Sequence, residues 1–263
     1  MSKVFADKIL AGKVAFITGG TSGINLGIAR RFAEHGAKVA VLGRNEEKAK
    51  AAEAELRALG AEALAVLGDV RQYGAVEAAI LEAKARFGNL DILVNGAAGN
   101  FPAPAVAMSA NGFKAVVDID LLGTFNACRA AFEHMNKPGA AVINISAGQA
   151  FQPAPMQSHV CAAKAGVDMV TRVLAMEWGP AGGRVNSIAP GPIDETAGMA
   201  RLAPTEEMRR KVAQAVPAGR FGTKGEVADL ALFLVSPAAS YISGAVIPCD
   251  GGQSLGGFGA LLT

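Results

Sequence analysis

The sequence predicts one α/β domain over residues 1–263, a doubly wound parallel sheet of seven strands flanked by helices. Three observations lead there. Short runs of β-branched and other apolar residues alternate with longer stretches of helical periodicity. Glycine punctuates the junctions between them. Apolar residues make up 51% of the chain and charged residues 18%, a composition for a large core. Strands separated by helices form βαβ units, whose parallel sheet is covered on both faces. A length of 263 residues suits one such domain.

The elements follow in order. Residues 13–18 are an apolar run leading into Gly19-Gly20, and residues 24–35 have helical periodicity that stops at Gly36. A buried strand over 38–42 precedes an Ala- and Glu-rich helix over 46–59, ended by Gly60. A strand over 63–67 leads to Asp69, a helix over 76–87 ends at Gly88, and a strand over 90–94 leads to Asn95. Further strands are predicted at 141–145, 184–188 and 245–248, with helices near 120–135 and 157–178. The Gly-rich tail over 251–263 suits either a loose end or packing on a neighbouring subunit.

A net charge of +2 gives no reason to expect nucleic acid or an acidic membrane surface as partner. No apolar run reaches the ~18 residues of a membrane span. Residues 1–10 lack a hydrophobic signal segment, and Leu261-Leu262-Thr263 is not a peroxisomal address, so a cytoplasmic location is expected. Cys128, Cys161 and Cys249 have no paired spacing, which predicts buried thiols rather than a metal site or disulfides.

The turn Thr18-Gly-Gly-Thr-Ser-Gly-Ile-Asn-Leu-Gly27 joins the first strand to the first helix. Glycines there let backbone amides approach a pyrophosphate at the positive helix end, which makes the fold Rossmann-type. The second strand ends Leu42-Gly43-Arg44. An NAD site places a carboxylate about here for the ribose 2′-hydroxyl. Gly43 stands in that place, and the Arg44 guanidinium suits a 2′-phosphate, so NADP(H) is the expected cofactor. The alternative for Arg44 is a solvated surface charge.

The spacing Thr18-Gly19-x-x-x-Gly23 resembles the short-chain dehydrogenase/reductase family, whose pattern continues x-Gly; here Asn25 takes that last glycine position. The resemblance covers nearly the whole chain. It implies cofactor contacts at Gly19, Thr21, Ser22, Gly23 and Ile24, and an adenine contact at Asp69-Val70. Asn95-Gly-Ala-Ala-Gly99 is similar to the family's Asn-Asn-Ala-Gly turn, implicating Asn95 and Ala97. Pro190, Gly191, Ile193 and Thr196 match the loop that holds the nicotinamide amide and pyrophosphate.

Ordinary members use Asn, Ser, Tyr and Lys, with Tyr four residues before Lys. Aligned on Lys164, the Tyr position is Val160, the Ser position Ala147 and the Asn position Asp120. The chain's two tyrosines, Tyr73 and Tyr241, lie outside residues 120–164. Ser146 neighbours the missing Ser, but a one-residue shift along a strand is expected to turn it to the opposite face. Ordinary ketone or alcohol chemistry is therefore disfavoured.

One subgroup has this pattern. Ala97-Ala-Gly-Asn-Phe101, Asp118-Ile-Asp120, the segment from Gln157 to Lys164, Asp168 and the segment from Pro190 to Leu202 resemble the 2,4-dienoyl-CoA reductases, particularly the peroxisomal type. That resemblance implies NADPH-dependent reduction of a 2,4-dienoyl-CoA to a 3-enoyl-CoA. Lys164, Asp120 and Asp168 would form the acid–base network. Val160, Lys164 and Asp168, spaced by four, share a helix face, so Asp168 can orient Lys164. Asp168 also reads as a structural helix ion pair, and Asp120 as a helix-start cap. His159 reads as a packed or interface histidine.

The resemblance further places Arg71 and Arg201 at the CoA phosphates, Phe101 in the acyl pocket, and Ser109 and Asn111 near the CoA. Residues 192–216 would form a lid over the acyl chain, and the helices over 120–135 and 157–178 would build a homotetramer. Two other functions stay open: a reductase of the same fold acting on a different activated alkene or carbonyl, and a non-catalytic NADP(H)-binding protein.

Overall fold

A computed structural model describes residues 5–255. The expectations for the two chain ends therefore fall outside the described residues, at 1–4 and 256–263.

The strands are β1 (Val14–Thr18), β2 (Lys38–Gly43), β3 (Ala63–Leu67), β4 (Ile92–Asn95), β5 (Ala141–Ile145), β6 (Arg184–Pro190) and β7 (Val246–Cys249). They form one sheet in the order β3-β2-β1-β4-β5-β6-β7, with every neighbouring pair parallel. The predicted seven-stranded doubly wound fold is thus observed. The helices are α1 (Gly23–Glu34), α2 (Glu46–Ala58), α3 (Tyr73–Phe87), α4 (Ala110–Val117), α5 (Gly123–Phe132), α6 (Ser158–Trp178), α7 (Ala197–Leu202), α8 (Glu206–Ala215) and α9 (Lys224–Val235).

β1 explains why both sheet faces must be covered. Its side chains alternate sides and all five residues are buried. Ala15 and Ile17 pack with Ile28 and Phe32 of α1 and Val227 and Leu232 of α9. Val14 and Phe16 pack on the other face with Ile80 of α3, Cys128 of α5 and Trp178 of α6. Chain direction around the sheet reverses between β1 and β4, which opens a crevice at their carboxyl ends.

Glycine ends three helices as predicted, Gly88 after α3 having φ of +94°. Gly36 after α1 and Gly60 after α2 have φ of +89° and +84°, backbone that a side chain would strain. Cys128 is buried and its thiol is pushed up to about 12 by that burial, whereas Cys161 and Cys249 are only partly buried, contrary to the expectation of three buried thiols. No helix among the described residues is long and apolar enough to cross a membrane.

Candidate active site

A cleft of about 670 Å³ lies over the carboxyl ends of the central strands, within the usual ~300–1,000 Å³ of small-molecule sites. One end is the glycine turn between β1 and α1. Gly19 sits where a Cβ would fall 2.9 Å from the Ala97 backbone, so only glycine lets the β1 and β4 loops meet. The Ser22 hydroxyl makes no cap bond to α1, which leaves amides at the helix N-terminus open toward the cleft. Thr21, Ser22, Gly23 and Ile24 line it, as expected.

The end of β2 sets the adenosine side. A Cβ on Gly43 would fall 2.6 Å from Thr21 Cγ2 and 2.7 Å from its Oγ1, so no carboxylate fits there. Arg44, Asp69 and Val70 line the cleft, joined by Lys48 on the first turn of α2. Asp69 is held by Arg71 through a two-pronged contact whose closest distance is 2.5 Å, and Arg44 stands 3.7 Å from the same carboxylate. The Arg71 bond is the main reason the Asp69 carboxyl lies below its ordinary range, despite partial burial.

The other end of the cleft is built on β5, α6 and the turn between α4 and α5. Lys164 and Asp120 are both buried, and their Nζ and Oδ2 lie 3.1 Å apart. Lys164 also donates to Ile145 O at 2.9 Å, and Asp120 Oδ1 accepts from Gly99 N at 2.7 Å. Asp120 sits in a wide helical turn, Asp118–Leu122, inside a continuous helical path. It therefore does not serve as a helix-start cap.

Asp168 differs from expectation. It is buried on α6, but among the described residues no ion pair joins it to Lys164, which Asp120 and Ile145 hold instead. Burial pushes the Asp168 carboxyl up from its ordinary range, against the hydroxyls of Ser146 and Ser187 and the charges of Arg172 and Lys164. The Ser187 hydroxyl lies 2.8 Å from that of Thr171, which accepts from Asn144 at 2.8 Å. Asn144 in turn accepts from Asn95 at 2.9 Å. Asn95 is spent on this buried network and stands off the cleft, unlike Ala97, Pro190, Gly191, Ile193 and Thr196, which line it.

Ser146 is a correction. β5 ends at Ile145, so strand alternation does not reach residue 146, and Ser146 and Ala147 both line the cleft. Val160, at the place of the missing Tyr, is buried against Val116 and Ala163.

The expected substrate residues lie outside the cleft wall. Ser109 caps α4, accepting from Gly112 N at 3.0 Å, and Asn111 is exposed beside it. Phe101 packs on His159 with ring centroids 4.6 Å apart and the rings tilted by 52°, and His159 is fully buried with neither ring nitrogen hydrogen-bonded. Arg201 on α7 reaches Asn100 O at 3.4 Å, and Arg71 is engaged by Asp69. From the segment expected to be a lid, Met199, Leu202 and Val212 reach the cleft, with α7 started by the Thr196 side chain. Lys48 and Asn100 are cleft residues to which sequence reasoning assigns no role, Asn25 is noted there only as a departure from the glycine pattern, and Ser146 is expected on the opposite face. Lys48 had a signal, since it is a second cation in the first turn of the helix that follows Arg44.

A family model described as enoyl-(acyl carrier protein) reductase matches residues 19–254. Together with the sheet order, the glycine turn and the buried lysine, this settles the class: the chain belongs to the short-chain dehydrogenase/reductase family. Within it, the chain is 45% identical to the peroxisomal 2,4-dienoyl-CoA reductase [(3E)-enoyl-CoA-producing] of Rattus norvegicus, over 95% of this chain and 86% of that one. It is 43% identical to a Bacillus subtilis protein designated probable 2,4-dienoyl-CoA reductase [(2E)-enoyl-CoA-producing], over 92% and 97%. A crystal structure of a gluconate 5-dehydrogenase from Burkholderia cenocepacia in complex with NADP and tartrate superposes with a TM-score of 0.90 at 34% identity, covering 95% of this chain and 99% of that one.

Proposed function

We propose that this chain is a 2,4-dienoyl-CoA reductase that uses NADPH. One observation carries the reading: Lys164 lines the cleft and pairs with buried Asp120 behind it, while the place of the usual proton donor holds packed Val160. A carbonyl reductase needs a donor at that place, whereas a conjugated thioester does not. Identity of about 40–45% to curated dienoyl-CoA reductases over most of the chain supports the same substrate class.

The glycine cradle, the open amides of α1 and the cations Arg44 and Lys48 fit a nicotinamide dinucleotide with a 2′-phosphate. Bound in this cleft, a nicotinamide dinucleotide would supply the hydride that C5 of the diene accepts. Electron density then moves through the conjugated system to the thioester oxygen. Lys164 holds the nicotinamide ribose and adds positive charge near the dienolate. The dienolate takes its proton from water relayed through Asp120. Asp168, buried four residues along α6 from Lys164 with its carboxyl pushed up by that burial, completes the acid–base network. Protonation at C2 gives the 3-enoyl product, the outcome proposed here, and protonation at C4 gives the 2-enoyl product.

Residues 192–216 form the lid. Phe101 lines the acyl path once its ring swings from His159, with Arg71 and Arg201 toward the CoA phosphates and Ser109 and Asn111 along its chain. Exposed Phe125 on α5 and Met169, Val173 and Met176 on α6 support a homotetramer built on those helices. The unpaired thiols support the cytoplasmic expectation.

The test is loss of NADPH absorbance with 2,4-hexadienoyl-CoA, with NADH as control and the product double bond placed by NMR. Turnover with NADPH and a 3-enoyl product supports the reading. NADPH binding without turnover on dienoyl thioesters of any chain length removes it.

A further inference from the structure

Residue 25 is where the family pattern has its last glycine, and it departs from that pattern in this chain. Asn25 lies in the first turn of α1, lines the cofactor end of the cleft and is only 9% exposed. Its Nδ2 donates to Gly96 O at 2.7 Å and reaches Gly19 O at 3.5 Å. Gly96 opens the loop after β4. A Cβ there would fall 2.0 Å from Asn25 Oδ1 and 2.3 Å from its Cγ and Nδ2. Residues 25 and 96 thus share one small volume, and a side chain at one excludes a side chain at the other. In the family's Asn-Asn-Ala-Gly turn the first Asn falls on Asn95 and the second on Gly96. This chain has moved the side chain across the gap.

The contact sits at a junction. Gly96 N donates to Thr18 Oγ1 at 3.1 Å, and three residues further on Gly99 N donates to Asp120, which pairs with Lys164. A link from α1 to Gly96 therefore joins the turn that cradles the diphosphate to the segment that carries the catalytic pair.

We propose that Asn25 is a positioning residue: its carboxamide clamps the N-terminus of α1 to the β4 loop, fixing the diphosphate–nicotinamide half of the cofactor against Lys164, with Gly96 as its obligate partner. The inference rests on the NADP(H) reading.

Binding tests it without turnover. Dissociation constants are measured for NADPH and for 2′,5′-ADP, which carries the adenosine and 2′-phosphate but neither the diphosphate bridge nor the nicotinamide. In Asn25→Ala, NADPH binding weakens about 3- to 10-fold, the worth of one hydrogen bond, while 2′,5′-ADP stays within about twofold. Gly96→Asn alone loses NADPH binding, and Asn25→Gly with Gly96→Asn regains it to within about tenfold of the parent. Should Gly96→Asn not fold, recovery of a cooperative thermal transition in the double variant carries the same comparison.

Unchanged NADPH affinity in Asn25→Ala overturns the proposal. So does equal weakening of both ligands, which would mark general loosening, or a double variant no better than Gly96→Asn. A parent protein that prefers NADH overturns the 2′-phosphate reading alone, and the Asn25 comparison then runs with NADH and AMP.

Discussion

Replacing Lys164 by Met removes the cation from a largely buried site at the edge of the cleft. The side chains of Lys164 and Asp120 are 7% and 1% exposed, with 3.1 Å between Nζ and Oδ2. Asp120 keeps its bond from Gly99 N but loses its only counter-charge within 4.0 Å among the described residues. Breaking a buried pair from one side costs about 3–5 kcal/mol, because the remaining charge is stranded. For a chain of this size each kcal/mol lowers Tm by roughly 2–4 °C, so a fall of about 6–20 °C is expected. Asp120→Asn is milder, since its amide oxygen still accepts from Gly99 N and Lys164 still donates to Ile145 O. Combining the two strands no charge, so the double variant should be more stable than the sum of the singles predicts, by at least about 1 kcal/mol. Urea unfolding followed by circular dichroism measures all three, and NADPH oxidation with a dienoyl-CoA measures turnover, expected to fall about 100-fold or more in each. Strict additivity, or a Lys164→Met enzyme with parental Tm, would refute the claim that the pair is one buried electrostatic unit. Undiminished turnover in that variant would refute its place in the chemistry.

Three further outcomes are expected. Arg44→Ala should raise KM for NADPH roughly 10- to 100-fold, the worth of a charge-assisted contact, and leave KM for NADH nearly unchanged; equal effects on both would sink the 2′-phosphate role. Asp168→Asn should raise Tm at pH 7 but not near pH 3. Burial lifts the folded carboxyl above its ordinary value of 3.8, so the folded state holds the proton longer than the unfolded chain and stability falls as pH rises through that window. An Asn there removes the fall, and a Tm gain independent of pH would contradict this cause. Thr223→Ala should cost about 1 kcal/mol, since Thr223 and Glu226 form the reciprocal cap that starts α9; a Tm within 1 °C of the parent, against an expected drop of roughly 2–4 °C, would refute it.

Element order, strand number and the glycine stops were legible because each follows from local pattern. Boundaries slipped where burial and backbone pairing part company. The apolar periodicity of α3 begins at Val76, yet the helix begins at Tyr73, a turn earlier, where Tyr73 packs only partly buried against the core and Gly74 stays exposed. Leu90 is fully buried but outside β4, meeting only Met135 by an isolated bridge. Ser146 was misread for the reverse reason: strand alternation was carried one residue past the end of β5. The Lys164–Asp120 contact was legible from family spacing. The Asn25–Gly96 exclusion was not, since no periodicity links residues 71 positions apart that share a volume only after β1 and β4 have paired.

The same logic bears on the missing Tyr and Ser. If their loss were decay, the partners that once served them would be free to drift toward solvent or apolar replacement. Lys164 and Asp120 instead remain ionisable and buried, ion-paired with each other and each hydrogen-bonded to the backbone. A buried ion pair contributes little net stability compared with apolar residues of the same volume, so fold maintenance alone gives no reason to keep it. Val160 completes the contrast, because it is packed with Val116 and Ala163 as a dry wall rather than left as a hole. A site that loses its carbonyl proton donor, packs the vacated place with an apolar side chain and keeps its buried cation is organised for charge that develops on a conjugated substrate.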